Sequence, residues 1–170
     1  MIRPLVFTDT PSYRELRLQA LKTDPGAFLS SYEHESLQPL SYFTYVITRA
    51  NIPPIFGIYG YLESEKLVGT IQLSPETLPK TAHRAMIYFL YIATGHRHEN
   101  VASGLLQHLI ALAKTVPNLE QLHLCVNGLN IPAISLYEKL GFKKIGTKPQ
   151  GVKEPDGSYQ DEYLYYLSLR

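Results

Sequence analysis

From Tyr91 to Phe142 the chain reads, in order, as a strand, a loop through Arg97-His98-Glu99-Asn100-Val101-Ala102, a long helix, a strand, a second helix and the tail Leu136-Tyr137-Glu138-Lys139-Leu140-Gly141-Phe142. Val101, Leu105, Leu109 and Leu112 form one helical stripe, and Leu106, Ile110 and Ala113 form a second. Leu122 to Cys125 alternates apolar with polar as a strand does, and Gly141 is a good C-terminal stop for the helix through Ile131, Ile134, Leu136 and Tyr137. This order sets a helix N-terminus after a strand and a phenol on the next helix. The unpaired amides at a helix start carry partial positive charge and suit a phosphate. A phenol can hydrogen-bond to a sulfur or protonate it. Diphosphate binding beside a proton donor to a thiol is what an enzyme using coenzyme A needs.

Upstream, residues 2 to 7 read as a first strand. Asp9 or Thr10, with Pro11 in the first turn, opens a helix carrying Leu16, Ala20 and Leu21, and Asp24-Pro25-Gly26 stops it. A looser helical region runs from Ser30 to Ala50, interrupted at Pro39. The runs 55–61 and 67–73 flank a polar turn and predict an antiparallel hairpin. His83 to Ala93 is a third long strand, rich in β-branched and aromatic residues. Phe142 to Ile145 and Tyr159 to Leu169 supply the last strands. Between them Pro149, Gly151, Pro155 and Gly157 predict an irregular flap from Thr147 to Ser158. The order β-α-α-β-β-β-α-β-α-β-β predicts an α/β (α+β) fold, a mixed, mostly antiparallel central sheet with helices on both faces.

Composition narrows the function by exclusion. A length of 170 residues fits one domain, 1–170, with a single good core. A formal charge of +1 gives no argument for nucleic acid or an anionic membrane, which usually demand a basic patch. The one cysteine, Cys125, rules out an internal disulfide and reads as a buried, inert thiol in an apolar run. Met1 to Val6 lacks the basic start and apolar core of a signal peptide, and no stretch approaches the ~20 apolar residues of a membrane span. The expected location is the cytoplasm. His96 and His98 flank Arg97 without a third nearby ligand, so no metal is expected there.

Most of the chain, and most densely the stretch from His83 to Gly146, resembles the GNAT superfamily of N-acetyltransferases. In that family a loop of the form Arg/Gln-x-x-Gly-x-Gly/Ala cradles the diphosphate of acetyl-CoA. Arg97 and Ala102 match it, while Asn100 replaces the middle glycine and, as asparagine, tolerates a left-handed backbone. The resemblance implies acetyl-CoA as co-substrate, held by Arg97, His98, Glu99, Asn100, Val101, Ala102 and Ser103. It also implies backbone contacts to the pantetheine arm from Tyr91, Ile92 and Ala93, and a cofactor contact from Asn130. Tyr137 falls on the family's usual proton donor to the departing thiolate. Many members carry a glutamate early on the fourth strand that takes the amine's proton; Met86 stands there instead.

The expected activity is therefore direct transfer of an acetyl group to a primary amine of a small molecule or a protein or peptide, with the Ile92 N–H as oxyanion donor. Proton loss from the amine falls to water or to a base outside the motif, for which His83, Glu33, Glu35 and Tyr88 are candidates. Simpler readings stand beside these. Tyr137 can be a packed ring, Arg97 a solvated cation, and Asn130 a helix cap. Tyr32, Tyr42 and Tyr45 can line an acceptor cleft or form a core stripe. A non-catalytic acyl-CoA-binding module is the rival function, favoured by Met86 and Asn100. The final strand is a candidate edge for a homodimer.

Overall fold

A computed structural model describes residues 1–97 and 100–170. The chain opens with β1 (Ile2–Pro4), α1 (Thr10–Thr23), α2 (Tyr32–Ser36) and α3 (Leu40–Ala50). It continues through β2 (Gly57–Glu63), β3 (Lys66–Pro75) and β4 (Arg84–Ile92). The remaining elements are α4 (Val101–Ala113), β5 (Gln121–Asn127), α5 (Ile131–Lys139), β6 (Lys143–Lys153) and β7 (Tyr159–Ser168), with a short 3₁₀ turn at Pro25–Ala27. Pro39 separates α2 from α3 because it has no N–H to continue a helix. Its extended backbone (φ −67°, ψ 161°) caps α3 instead.

Among the described residues the strands form one sheet in the order β1-β2-β3-β4-β5-β7-β6. Every junction is antiparallel except β4–β5, which is parallel. The mixed, mostly antiparallel sheet with helices on both faces is therefore observed. Leu105, Leu106 and Leu109 of α4 and Tyr137 of α5 pack with Ile71, Leu73, Ile87, Leu122 and Leu124 on one face. On the other, Tyr13, Leu16 and Ala20 of α1 and Phe43 and Ile47 of α3 pack with Ile58, Leu67 and Tyr91. Gly69 lets α4 approach closely. A Cβ there would meet Ile92 Cδ1 at 2.7 Å and Leu105 Cδ1 at 3.3 Å.

The feature that makes room for a ligand is a divergence of two parallel neighbours. β4 and β5 pair only where Arg84, Ala85 and Met86 oppose Gln121, Leu122 and His123, and they part beyond that. β4 also carries a bulge. Gln72 opposes Tyr88 and Thr70 opposes Tyr91, so Phe89 and Leu90 share one partner position, with Phe89 at φ 55°. A bulged strand bends and twists more strongly, and here the bend falls where β4 leaves β5.

Two expectations are corrected. The segment read as an irregular flap from Thr147 continues β6 to Lys153, and only residues 154–158 turn. β6 is an edge strand, where a proline costs no ladder hydrogen bond, and its register breaks between Lys148 and Val152 with Gln150 at φ 53°. That irregularity absorbs both Pro149 and Gly151. The final strand, β7, is not an edge either. It lies between β5 and β6, so the exposed edges of the sheet are β1 and β6.

Candidate functional site

The divergence of β4 and β5 opens a cleft of about 1300 Å³. One wall is β4 from Met86 to Ile92 and the other is β5 from Leu124 to Asn127. Val101, Ala102 and Ser103 at the start of α4 close one end, with Asn130, Ala133 and Tyr137 of α5 beside them. Arg17, Asp24, Phe28 and Glu35 lie above, and Lys148 and Glu162 reach in from β6 and β7. The cleft thus gathers Tyr91, Ile92, Arg97, Asn100, Val101, Ala102, Ser103, Asn130 and Tyr137. Ala93 is not part of the lining and packs in the α1–α3 cluster, as Tyr91 also does, and His98 and Glu99 lie outside the described residues.

On β4, the Ala93 N–H donates to Val68 O on β3 at 2.9 Å. Antiparallel ladders alternate, so the N–H and C=O of the preceding residue, Ile92, turn away from β3 toward the divergence. The Ile92 carbonyl is held there by Arg97 Nε at 3.2 Å. Asn100 adopts the left-handed backbone expected of it (φ 60°, ψ 13°) and starts α4. The first helical bond runs from the Gly104 N–H to Asn100 O at 2.8 Å, so the N–H groups of Val101, Ala102 and Ser103 have no intrahelical acceptors. A diphosphate can accept from them without a glycine at position 100.

Arg97, a phosphate ligand by the resemblance, is paired within the fold. Its Nη2 pairs with Asp24 Oδ2 at 2.6 Å, and the guanidinium lies 5.6 Å from the Tyr91 ring centroid. The Asp24 carboxylate holds the Arg97 pKa above its usual value. Burial alone would raise the Asp24 carboxyl, but the Arg97 and Thr23 hydrogen bonds outweigh it and keep the group ionised. Asn130 is a helix cap, its side chain accepting from the Ala133 N–H at 3.3 Å, and it lines the cleft as well. Tyr137 is 7% exposed, with its ring edge-on to Phe142 at 5.9 Å. Burial pushes its phenol up to about 12. Among the described residues its hydroxyl has no hydrogen-bond partner, which leaves it free for a ligand in the cleft.

The far end of the cleft is aromatic and charge-paired. Arg17 and Glu35 form a buried bidentate ion pair (Nε–Oε2 3.0 Å, Nη2–Oε1 2.7 Å). The Arg17 guanidinium sits between the Phe28 and Phe89 rings, at 5.0 and 4.7 Å. Met86 and Tyr88 face the cleft, while His83 and Glu33 are not part of its lining. Two further base candidates are weakened by their surroundings. Glu35 is spent on Arg17 and is held below the ordinary glutamate range, so it is a poor base. Tyr88 is pushed up by burial and stays protonated at neutral pH.

Cys125 is not buried as expected. The β5 alternation hides Leu122, Leu124 and Val126 and turns Cys125 and Asn127 to the cleft. Burial still pushes the Cys125 thiol up, against the nearby Lys148, so it remains a thiol. Tyr42 lines the cleft; Tyr32 and Tyr45 do not. Sequence reasoning missed Asp24, Asn127, Lys148 and Glu162. Asn127 was legible from the β5 alternation. The Lys148–Glu162 pair (2.7 Å) was not, because it depends on a β6–β7 register that the flap reading concealed.

The acetyltransferase (GNAT) family matches residues 17–142, well over half of the chain. A curated relative, an N-alpha-acetyltransferase of Saccharolobus solfataricus, is 33% identical over 93 residues, covering 55% of this chain and 52% of that protein. The chain spans about half the length of the curated relatives it matches. Among solved structures, a GNAT-family acetyltransferase from Streptococcus pneumoniae superposes with a TM-score of 0.87 at 20% identity, over 99% of this chain and 98% of that one. The structure of yncA, a putative acetyltransferase from Salmonella typhimurium with its cofactor acetyl-CoA, gives 0.79 at 16% identity, over 100% and 94% of the two chains. The structural likenesses speak for the fold and the family match for descent: the chain belongs to the acetyltransferase (GNAT) family.

Proposed function

We propose that this chain is an acetyl-CoA-dependent N-acetyltransferase that moves an acetyl group directly to a primary amine of a small molecule or of a protein or peptide. The observation that carries the reading is the junction of three groups around one cleft: free amides at the α4 start, the outward Ile92 N–H, and the Tyr137 phenol. Acetyl-CoA, when bound, supplies the thioester. The amides of Val101, Ala102 and Ser103 hold the diphosphate, and the Tyr91–Ala93 backbone aligns the pantetheine arm. Ile92 N–H donates to the carbonyl oxygen as charge builds on it. Tyr137 Oη gives its proton to the departing sulfur. Cys125, kept protonated by burial although Lys148 Nζ lies 3.8 Å from its sulfur, takes no covalent part. The setting proposed for this work is the cytoplasm. No helix among the described residues is long and apolar enough to cross a membrane.

Glu35 and Glu162, the carboxylates at the acceptor end, are both ion-paired, and Met86 offers no base. The acceptor therefore loses its proton to water or to His34, which also lines the cleft, and this favours an α-amine, of pKa near ~8, over a lysine-like amine near ~10.4. The name of the Saccharolobus solfataricus relative, an N-alpha-acetyltransferase, points the same way.

The test is thiol release from acetyl-CoA across a panel of amines, run as a pH profile. With an α-amine the rate should rise about tenfold per pH unit and level off near ~8. Tyr137 should impose no falling limb near pH 10, since its buried phenol keeps its proton up to about 12. CoA binding without thiol release on any amine would favour the rival acyl-CoA-binding module.

A further inference from the structure

The corner between α1 and the Pro25–Ala27 turn touches both diverging strands. On the β4 side, Thr23 Oγ1 and the Tyr91 hydroxyl are 3.0 Å apart. Asp24 Oδ2 pairs with Arg97 Nη2 at 2.6 Å, and Arg97 Nε in turn donates to the Ile92 carbonyl at 3.2 Å. On the β5 side, Asn127 Nδ2 donates to Gly26 O at 3.0 Å. Four consecutive residues thus bridge the mouth of the cleft, with two holds on the β4 side and one on the β5 side.

Arg97 sits at the centre of this bridge. Two of its three nitrogens are committed, one to a carboxylate and one to a carbonyl, and its carbon lies 5.6 Å from the Tyr91 ring centroid. A guanidinium fixed by Asp24 is already neutralised locally and offers a diphosphate little net charge. The α4 amides can serve that anion without it. What Arg97 does hold is the carbonyl of Ile92, the residue whose own N–H turns to the same side of β4.

Resting on the acetyltransferase reading, we propose that Arg97 is a positioning residue. Locked by Asp24, it fixes the Ile92 backbone through the carbonyl, and so the adjoining Ile92 N–H against the thioester, and it is not a ligand to the diphosphate. The Thr23–Gly26 corner is the strap that holds it, with Asn127 fastening the other end. Asp24 and Asn127 thereby join the machinery of the site.

The two roles separate with a truncated co-substrate. S-acetylpantetheine has the same thioester arm and lacks the diphosphate. Arg97→Ala and Asp24→Ala should each lower kcat about 10–100-fold, the scale of an ångström-level misplacement. The loss should be the same factor with acetyl-CoA and with S-acetylpantetheine. The double variant should be no worse than the poorer single one, because both changes break the same linkage. Arg97→Lys, which keeps the charge but cannot span Asp24 and Ile92, should behave like Arg97→Ala.

The proposal is overturned if Arg97→Ala harms only the reaction with acetyl-CoA while Asp24→Ala is near wild type, or if the two losses multiply. Hydrogen exchange on the ligand-free protein decides the matter without any turnover. Both alanine variants should speed exchange several-fold at Tyr91–Ala93 and leave α4 beyond its first turn unchanged. Unchanged exchange at Tyr91–Ala93 would refute the linkage. An inactive wild type with the predicted exchange pattern would fault the activity and leave the strap standing.

Discussion

Tyr137→Phe should cut kcat about 10²–10⁴-fold, the usual worth of a general acid, with acetyl-CoA affinity nearly intact. The substitution is clean. The ring is buried and edge-on to Phe142, and phenylalanine keeps that packing. Among the described residues the hydroxyl has no partner, so its removal orphans nothing and the melting temperature should hold. Burial keeps the phenol protonated, pushed up to about 12, which suits a donor that must wait for a developing thiolate. Steady-state kinetics together with calorimetry of CoA binding check the split. Full turnover in Tyr137→Phe would return Tyr137 to the core-packing role that its burial also fits.

The second large effect concerns stability. Glu35→Ala should destabilise the fold by about 3–5 kcal/mol, because it strands the buried Arg17 guanidinium without its partner. For a chain of this size that is a fall of about 6–20 °C in melting temperature. Arg17 is 8% exposed and Glu35 4%, and among the described residues Arg17 Nη1 already lacks a partner. Replacing both at once, Arg17→Met with Glu35→Leu, should recover most of the loss, since no uncompensated charge then remains. The pair also makes stability depend on pH. Burial alone would raise the Glu35 carboxyl, but the hydrogen bonds and charge of Arg17 hold it below its ordinary value. A carboxyl lowered on folding stabilises above its unfolded pKa, and that contribution drains away as pH falls through the folded one. Thermal melts of wild type and Glu35→Ala should therefore converge as the pH drops below the ordinary glutamate range, while the double variant should lack this pH dependence.

Much of this architecture was legible because local signals and tertiary demands agree. The α4 stripe, the Pro39 break and the Gly141 stop each have a local cause, and each appears where its residues place it. Asn100 illustrates a substitution readable in physical terms: the loop needs a left-handed residue, and asparagine supplies one. The misreadings share a different origin. Pro149 and Gly151 are loop residues by composition, and only the position of β6 at the sheet edge makes them tolerable in a strand. The partner of Arg97 could not be foreseen, since Asp24 is 73 residues away in sequence and was visible only as part of a helix stop. The sequence likewise marked Cys125 as apolar surroundings suggest, whereas the divergence of β4 and β5 uncovers the β5 face on which it lies.

The central claim is that a diphosphate rests on the amides of Val101, Ala102 and Ser103 while the thioester lies between β4 and β5 within reach of Tyr137. A crystal structure of the protein grown with CoA tests this most directly. Density for the diphosphate at the α4 start, with the sulfur beside the Tyr137 hydroxyl, is the predicted result. CoA bound outside the β4–β5 divergence, or absent at millimolar concentration, would contradict it.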